Sequence, residues 1–281
     1  MPEDASKRPA GYFYYFRTVF ALTFTMMLRR KRIALIAVII LLPVFVPLSL
    51  AFLSISEFAE DGNKIFVYVV EIIYLKGMVL LLALFYGTML VGEEVENQTI
   101  QYLLTRPIPR NAIILGRFAA YLVLTGLLLN AAVGMVFAAC TSIGGFGLSP
   151  ETFKLFVHYA LLNVAALAAY GAFTSFLGAV TRWPIIIGVA ALFGWQRFVS
   201  FIPGAIDFFT IEKYINALLP VLATQRQNIV IKLAIAEFQK QQLIVGAVKG
   251  GIILLCIIAA FLSLSCLVIR YREYSQARAL G

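Results

Sequence analysis

Histidine and cysteine are nearly absent from this sequence. It holds one histidine, His158, and three cysteines, Cys140, Cys256 and Cys266, each in or at the end of an apolar run. An odd cysteine count without paired spacing argues against a disulfide framework or a metal cluster, and no resident metal is expected. Charge is scarce as well. Asp, Glu, Lys and Arg make up 13% of the 281 residues, where a soluble domain of this length carries about a quarter. No G-x-x-x-x-G-K-[ST] run occurs, so the chain cannot hydrolyse nucleotide alone by that route. Gly144-Gly145-Phe146-Gly147 lacks the required lysine and reads as a loop turn. The opening residues, MPEDASKRPAG, mix acid and base with no short apolar core after them, so no cleavable signal peptide is expected.

What the chain has in excess is apolar surface. Hydrophobic residues are 62% of the total, and the mean hydropathy is +0.91. One globular core cannot bury so many apolar side chains, so a bilayer must accept them. Several runs exceed the ~18–20 residues that cross a ~30 Å hydrocarbon core as helix. They are continuously apolar and do not alternate as barrel strands do. The expected fold is therefore an all-α membrane protein with six spans, at about 33–53, 70–91, 112–140, 155–180, 184–203 and 247–269, forming a single membrane domain over 1–281. The net charge of +9 fits topology signals and anionic lipid head groups, and no nucleic-acid partner is expected.

Charge placement orients these spans. With a cytoplasmic N-terminus, one side receives Arg29-Arg30-Lys31-Arg32, then Arg106, Arg110 and Arg117, then Arg182, then Arg270, Arg272 and Arg278. The other side offers Lys64 and Lys154, diluted by Glu57, Glu60, Asp61 and Glu151. This is the positive-inside pattern and places both termini in the cytoplasm of an inner-membrane protein. Residues 12–28 would upset that parity if they crossed. Arg17 interrupts them, and Phe13, Phe16, Phe20 and Phe24 recur at helical spacing, which predicts an interfacial helix. The fourth and fifth spans form a tight hairpin, with Pro184 at the first helical position. Residues 204–246 form the longest outer segment, and NIVIKLAIAEFQK within it has apolar residues at helical spacing, so an interfacial or re-entrant helix is expected there.

Candidate chemistry is thin. Glu93-Glu94 and His158 raise an intramembrane protease, but the glutamates lie on the cytoplasmic side and His158 near the outer end of the fourth span. Glu71 and Lys76 are placed near the outer end of the second span, where snorkelling is cheap. Arg197 lies fifteen residues past Arg182, roughly 22 Å along a helix, beside Trp195 and Gln196. These residues mark a possible substrate path or subunit interface, and Arg197 could instead pair with Asp207.

The segment GEEVENQTIQYLLTRPIPR, residues 92–110, falls between the second and third spans on the cytoplasmic side. Glu93, Glu94 and Glu96 sit where a short helix would begin, favoured by exposed N–H groups. Ile100, Leu103 and Leu104 make one apolar face. Pro107 and Pro109 forbid continuation, and Asn111 can cap the third span. A short amphipathic helix over 93–105 with its ends on two spans suits docking into a soluble partner; its apolar face could equally rest on the bilayer.

GEEVENQTIQYLLTRPIPRNAIILGRF resembles the signature of type-2 ABC transporter permeases. The matching residues are Glu93, Glu94, Thr99, Leu103, Leu104, Pro107, Arg110, Gly116 and Arg117, with Gln98 where that family has glycine. The six spans, cytoplasmic termini and interfacial N-terminal helix also fit, over nearly the whole chain. The resemblance implies a permease of an ATP-driven exporter, paired as a homodimer or pseudo-symmetric heterodimer, that binds two copies of an ATP-binding cassette ATPase through 93–105. No cofactor is then expected in this chain, since ATP and Mg belong to the ATPase. The alternatives are an intramembrane protease and a membrane assembly subunit that does not transport.

Overall fold

The structure, a computed structural model, describes residues 12–29, 31–53, 62–90, 110–141, 147–181, 183–201, 208–220, 230–233, 236–239 and 246–271. Helix α1 (Tyr12–Arg29) precedes α2 (Lys31–Leu41), and a 3-10 turn at Leu42–Val44 leads into α3 (Phe45–Leu53). Pro43 lies in that turn; its missing N–H and its ring prevent an unbroken α-helical ladder. Helix α4 (Gly62–Leu90), α5 (Arg110–Cys140) and α6 (Pro150–Val180) follow. Next come α7 (Pro184–Val189), a π-helical segment Ala190–Trp195, α8 (Gln196–Phe201) and α9 (Ile211–Asn216). A hairpin of β1 (Val230–Leu233) and β2 (Ala236–Gln239) precedes α10 (Ala247–Tyr271).

Among the described residues, four helices are long and apolar enough to cross a membrane: Gly62–Leu90, Asn111–Cys140, Pro150–Val180 and Ala247–Ile269. Ile36–Ser49 and Pro184–Trp195 are shorter apolar helices at the positions of the first and fifth expected spans. Helix α1 matches the expected 12–28 segment and is not among the four. The second helix begins at Gly62 instead of residue 70, because its early residues have partners. Phe66 meets Phe137 of α5 and Tyr159 of α6 edge-on, with ring centroids 5.7 and 6.0 Å apart. The fourth begins at Pro150 instead of 155, because Ser149 and Thr152 form a capping box. The Thr152 N–H donates to Ser149 Oγ at 3.2 Å, and the Ser149 N–H donates to Thr152 Oγ1 at 3.1 Å. Helix α5 starts at Arg110, so Asn111 lies in its first turn and is not its cap.

The apolar spacing of NIVIKLAIAEFQK is corrected too. It predicted helix, but Val230–Leu233 pairs antiparallel with Ala236–Gln239, placing Lys232 opposite Glu237. Val230 and Ile231 are β-branched and favour strand, and short apolar runs satisfy both periods.

Side-chain pairing fixes the helix directions. Tyr159 of α6 meets Glu71, Thr174 meets Ala83 and Gly178 meets Thr88, so α4 and α6 run parallel. Tyr121 reaches Leu167, and Gly126 and Gly134 face Val164 and Phe156, so α5 runs antiparallel to α6. Gly188 approaches Leu177 and Gln196 bonds Tyr170, so α7–α8 is also antiparallel to α6. Leu218 touches His158 and packs at Gly251, while the Phe261 ring meets Phe173 edge-on and Phe176 at a tilt, so α10 runs with α6.

The α4–α6 contact shows what holds such a bundle together without water to drive it. A Cβ on Gly178 would lie 2.6 Å from the Thr88 carbonyl oxygen. The bare glycine lets the two backbones meet, and Thr174 Oγ1 then donates across to the Ala83 carbonyl at 2.7 Å. Small residues and interhelical hydrogen bonds do here what apolar burial does in soluble proteins.

Candidate functional site

The expected docking residues Glu93, Glu94, Glu96, Thr99, Ile100, Leu103, Leu104 and Pro107 lie outside the described residues, as does the whole 93–105 segment. The structure does define what that segment connects. It leaves α4 at Leu90 and enters α5 at Arg110, and Arg117 Nη1 donates to the Leu90 carbonyl at 3.0 Å. A carbonyl in the last turn of α4 is thereby satisfied by a cation, the charge that a helix C-terminus favours. Beside it, Gly116 lets α1 approach: a Cβ there would sit 3.1 Å from the Phe16 carbonyl and 3.2 Å from Val19. The Gly116-Arg117 pair thus joins α1, α4 and α5 at one end of the bundle.

Farther along α4 the structure gathers polar groups that the sequence leaves scattered. Two π-helical segments, Val69–Met78 and Ala83–Gly87, interrupt the helix. The first carries Glu71 and Lys76, nine and fourteen residues from the helix start at Gly62. They stand this far into α4 because the helix extends farther back than the expected start at residue 70. Glu71 is buried, and the Tyr159 hydroxyl donates to its Oε1 at 2.7 Å. Lys76 Nζ lies 3.4 Å from Glu212 Oε1 on α9. The Tyr170 hydroxyl donates to Gln196 Oε1 at 3.4 Å. A cleft between α4, α6, α8 and α9 is lined by the last two of these pairs, with Leu75, Leu80, Leu192 and Ile215 as its apolar walls.

Of the three residues proposed from sequence on the fifth span, the structure brings one to this cleft. Gln196 is buried there, while Trp195 at the end of the π segment is about half exposed. Arg197 is helical; its side chain and Asp207 lie outside the described residues. His158 Nε2 lies 2.7 Å from the Leu218 carbonyl, a contact it can make only as donor. Among the described residues, no group of three His, Cys, Asp or Glu side chains is placed to hold a metal. Tyr159, Tyr170 and Glu212 escaped the sequence reading; the signal available was Glu71 and Lys76, two charges inside an apolar run.

Removal of the buried donor gives a direct check on this arrangement. Tyr159→Phe leaves the Glu71 carboxylate without that hydroxyl and should cost about 1–3 kcal/mol. Thermal unfolding in detergent should show the loss, and Glu71→Gln combined with Tyr159→Phe should recover part of it, because a neutral amide is cheaper to bury. Equal melting temperatures for wild type and Tyr159→Phe would contradict the burial.

A comparison with protein families decides the class. The profile described as ABC-2 family transporter protein matches residues 25–194, more than half of the chain. The chain belongs to this family. No curated protein matches it. As an ABC-2 protein it is a type-2 ABC transporter permease, a multi-pass membrane subunit whose ATP hydrolysis belongs to a separate ATP-binding cassette subunit. The match contains the 92–110 strip, Glu71, Lys76 and Tyr159. It ends at Gly194, just before Trp195-Gln196-Arg197, and does not reach Glu212.

Proposed function

We propose that this ABC-2 permease is the membrane half of an ATP-driven exporter. Two copies, or one copy and a related permease, form the substrate path, and each docks one ATPase subunit through the coupling helix at 93–105. ATP and Mg act on that partner, and closure of the two ATPases rocks the membrane halves between two states. The observation that carries the reading is the family match over 25–194, which includes the strip. The Arg117–Leu90 bond supports the lever, because α4 and α5 are tied together where the strip leaves and re-enters them.

Six crossings with cytoplasmic termini in the inner membrane fit the helix directions. The descending pair α4 and α6 alternates with the ascending α5 and α7–α8, and α10 descends again. The basic clusters then all fall on the side of the 92–110 strip. Export follows the family analogy alone.

Native mass spectrometry of the purified complex tests this assembly. The expected species contains two permease chains, at 31.1 kDa each for this one, with two ATPase subunits; a permease recovered without ATPase would contradict it. A second test concerns the fifth span. If Arg197, with Trp195 and Gln196, lines the path, Arg197→Ala should cut transport by about tenfold, the equivalent of ~1.4 kcal/mol, while ATPase docking is retained. Unchanged transport in proteoliposomes would remove Arg197 from the path.

A further inference from the structure

We infer that the Lys76–Glu212 ion pair is a latch that holds α9 over the cleft beside α4 and keeps the outer end of the transport path shut. The inference rests on the permease reading above. Charges within a membrane helix are expensive and are kept where they do something. Here a lysine in the interior of a 29-residue apolar helix meets a glutamate in the first turn of a six-residue helix, at 3.4 Å, with their side chains 33% and 23% exposed. Helix α9 is a small cap. Ile211, Tyr214 and Ile215 are buried, Tyr214 donates to the Phe208 carbonyl at 2.7 Å, and His158 secures Leu218 just beyond. Behind this cap, Leu192 and Gln196 are buried along the cleft wall. Moving α9 away from α4 exposes that wall, and the ion pair stands across the opening.

The backbone of α4 supplies a way to release the latch. Glu71 and Lys76 are five residues apart within the π-helical segment Val69–Met78. The i→i+5 repeat of a π-helix stacks such residues on one side. In an α-helix at 3.6 residues per turn they would point about 140° apart. With Glu71 held by Tyr159, rewinding of the segment from π to α would swing Lys76 away from Glu212. One local change in helix type would then couple movement of α4, which leads to the 92–110 strip, to opening of the cap.

The latch is testable without knowing the cargo. Cys140, Cys256 and Cys266 are replaced by serine in the full complex with its ATPase, held in lipid nanodiscs, and Leu192→Cys is introduced into the cleft wall. A charged maleimide then reports how often the cap is open. Lys76→Gln and Glu212→Gln should each speed labelling about fivefold, as expected for a partly exposed pair worth ~1 kcal/mol. The charge-swapped Lys76→Glu/Glu212→Lys protein should label at the unswapped rate. Ala83→Cys, buried at the α4–α6 contact away from the cap, reports general loosening and should stay unlabelled throughout. Single variants that label no faster, a swap that labels as fast as the singles, or parallel labelling at Ala83→Cys would each overturn the latch. A non-hydrolysable ATP analogue separates this from the underlying reading. If charge swapping restores protection but nucleotide leaves Leu192→Cys labelling unchanged, the latch stands and the ATP-driven transport reading fails.

Discussion

Replacing Ile100, Leu103 and Leu104 together with aspartate should abolish capture of the ATPase subunit while the membrane helices stay folded. Each of these side chains, buried in a groove of the partner, would contribute about 1.5 kcal/mol or more. Losing all of them weakens docking by about a thousandfold, before the cost of desolvating three new carboxylates is added. The effect is confined to docking because α4 and α5 are fixed to each other by contacts outside the strip, among them the Arg117–Leu90 bond. Pull-down of the ATPase by tagged permease, with a melting curve of the permease alone, separates the two outcomes. An intact complex would remove the strip from the coupling role; a collapsed melting temperature would make it part of the bundle's own packing.

Gly178→Val should be among the most damaging single substitutions in the protein. Its first added carbon would lie 2.6 Å from the Thr88 carbonyl oxygen, where an ordinary C···O contact is about 3.3–3.6 Å. Neither partner can turn aside, since one is backbone and the other is the new Cβ. The two helices must separate by about 1 Å, which also stretches the Thr174–Ala83 hydrogen bond. Overpacking of this kind costs about 3 kcal/mol, read as a fall of about 5–10 °C in Tm. Gly126→Ala makes the matching control, because its Cβ would meet Val164 at 3.7 Å, an ordinary contact. That substitution should leave Tm level or raise it slightly, since alanine is the better helix former. Equal damage from both would mean that α4 and α6 do not meet as described.

The sequence was legible where the physics is local. Basic clusters, apolar run lengths and Pro184 located the helical segments, and the Glu-rich strip with its Gly-Arg ending pointed to the family that the 25–194 match supports. Gly116 and Arg117 entered only as matches to that signature; the structure adds what they do, one admitting α1 and the other bonding a carbonyl of α4. What could not be read depends on partners distant along the chain. Glu71 looks like a residue at a helix end until Phe66, packed on Phe137 and Tyr159, extends α4 back to Gly62. Lys76 looks free to snorkel until Glu212 is brought beside it. The π-helical turns leave no trace in a search for a 3.6-residue period, and the Val230–Gln239 hairpin satisfied a helical spacing it does not adopt.

The most direct test of the coupling claim is to place a photo-reactive amino acid at Leu103 and irradiate the assembled transporter in membranes. An adduct between this chain and its ATPase subunit is expected, at the summed mass of the two. Adducts with lipid alone, with the ATPase present and bound, would contradict it, because the apolar face of the strip would then lie on the bilayer and not in the partner.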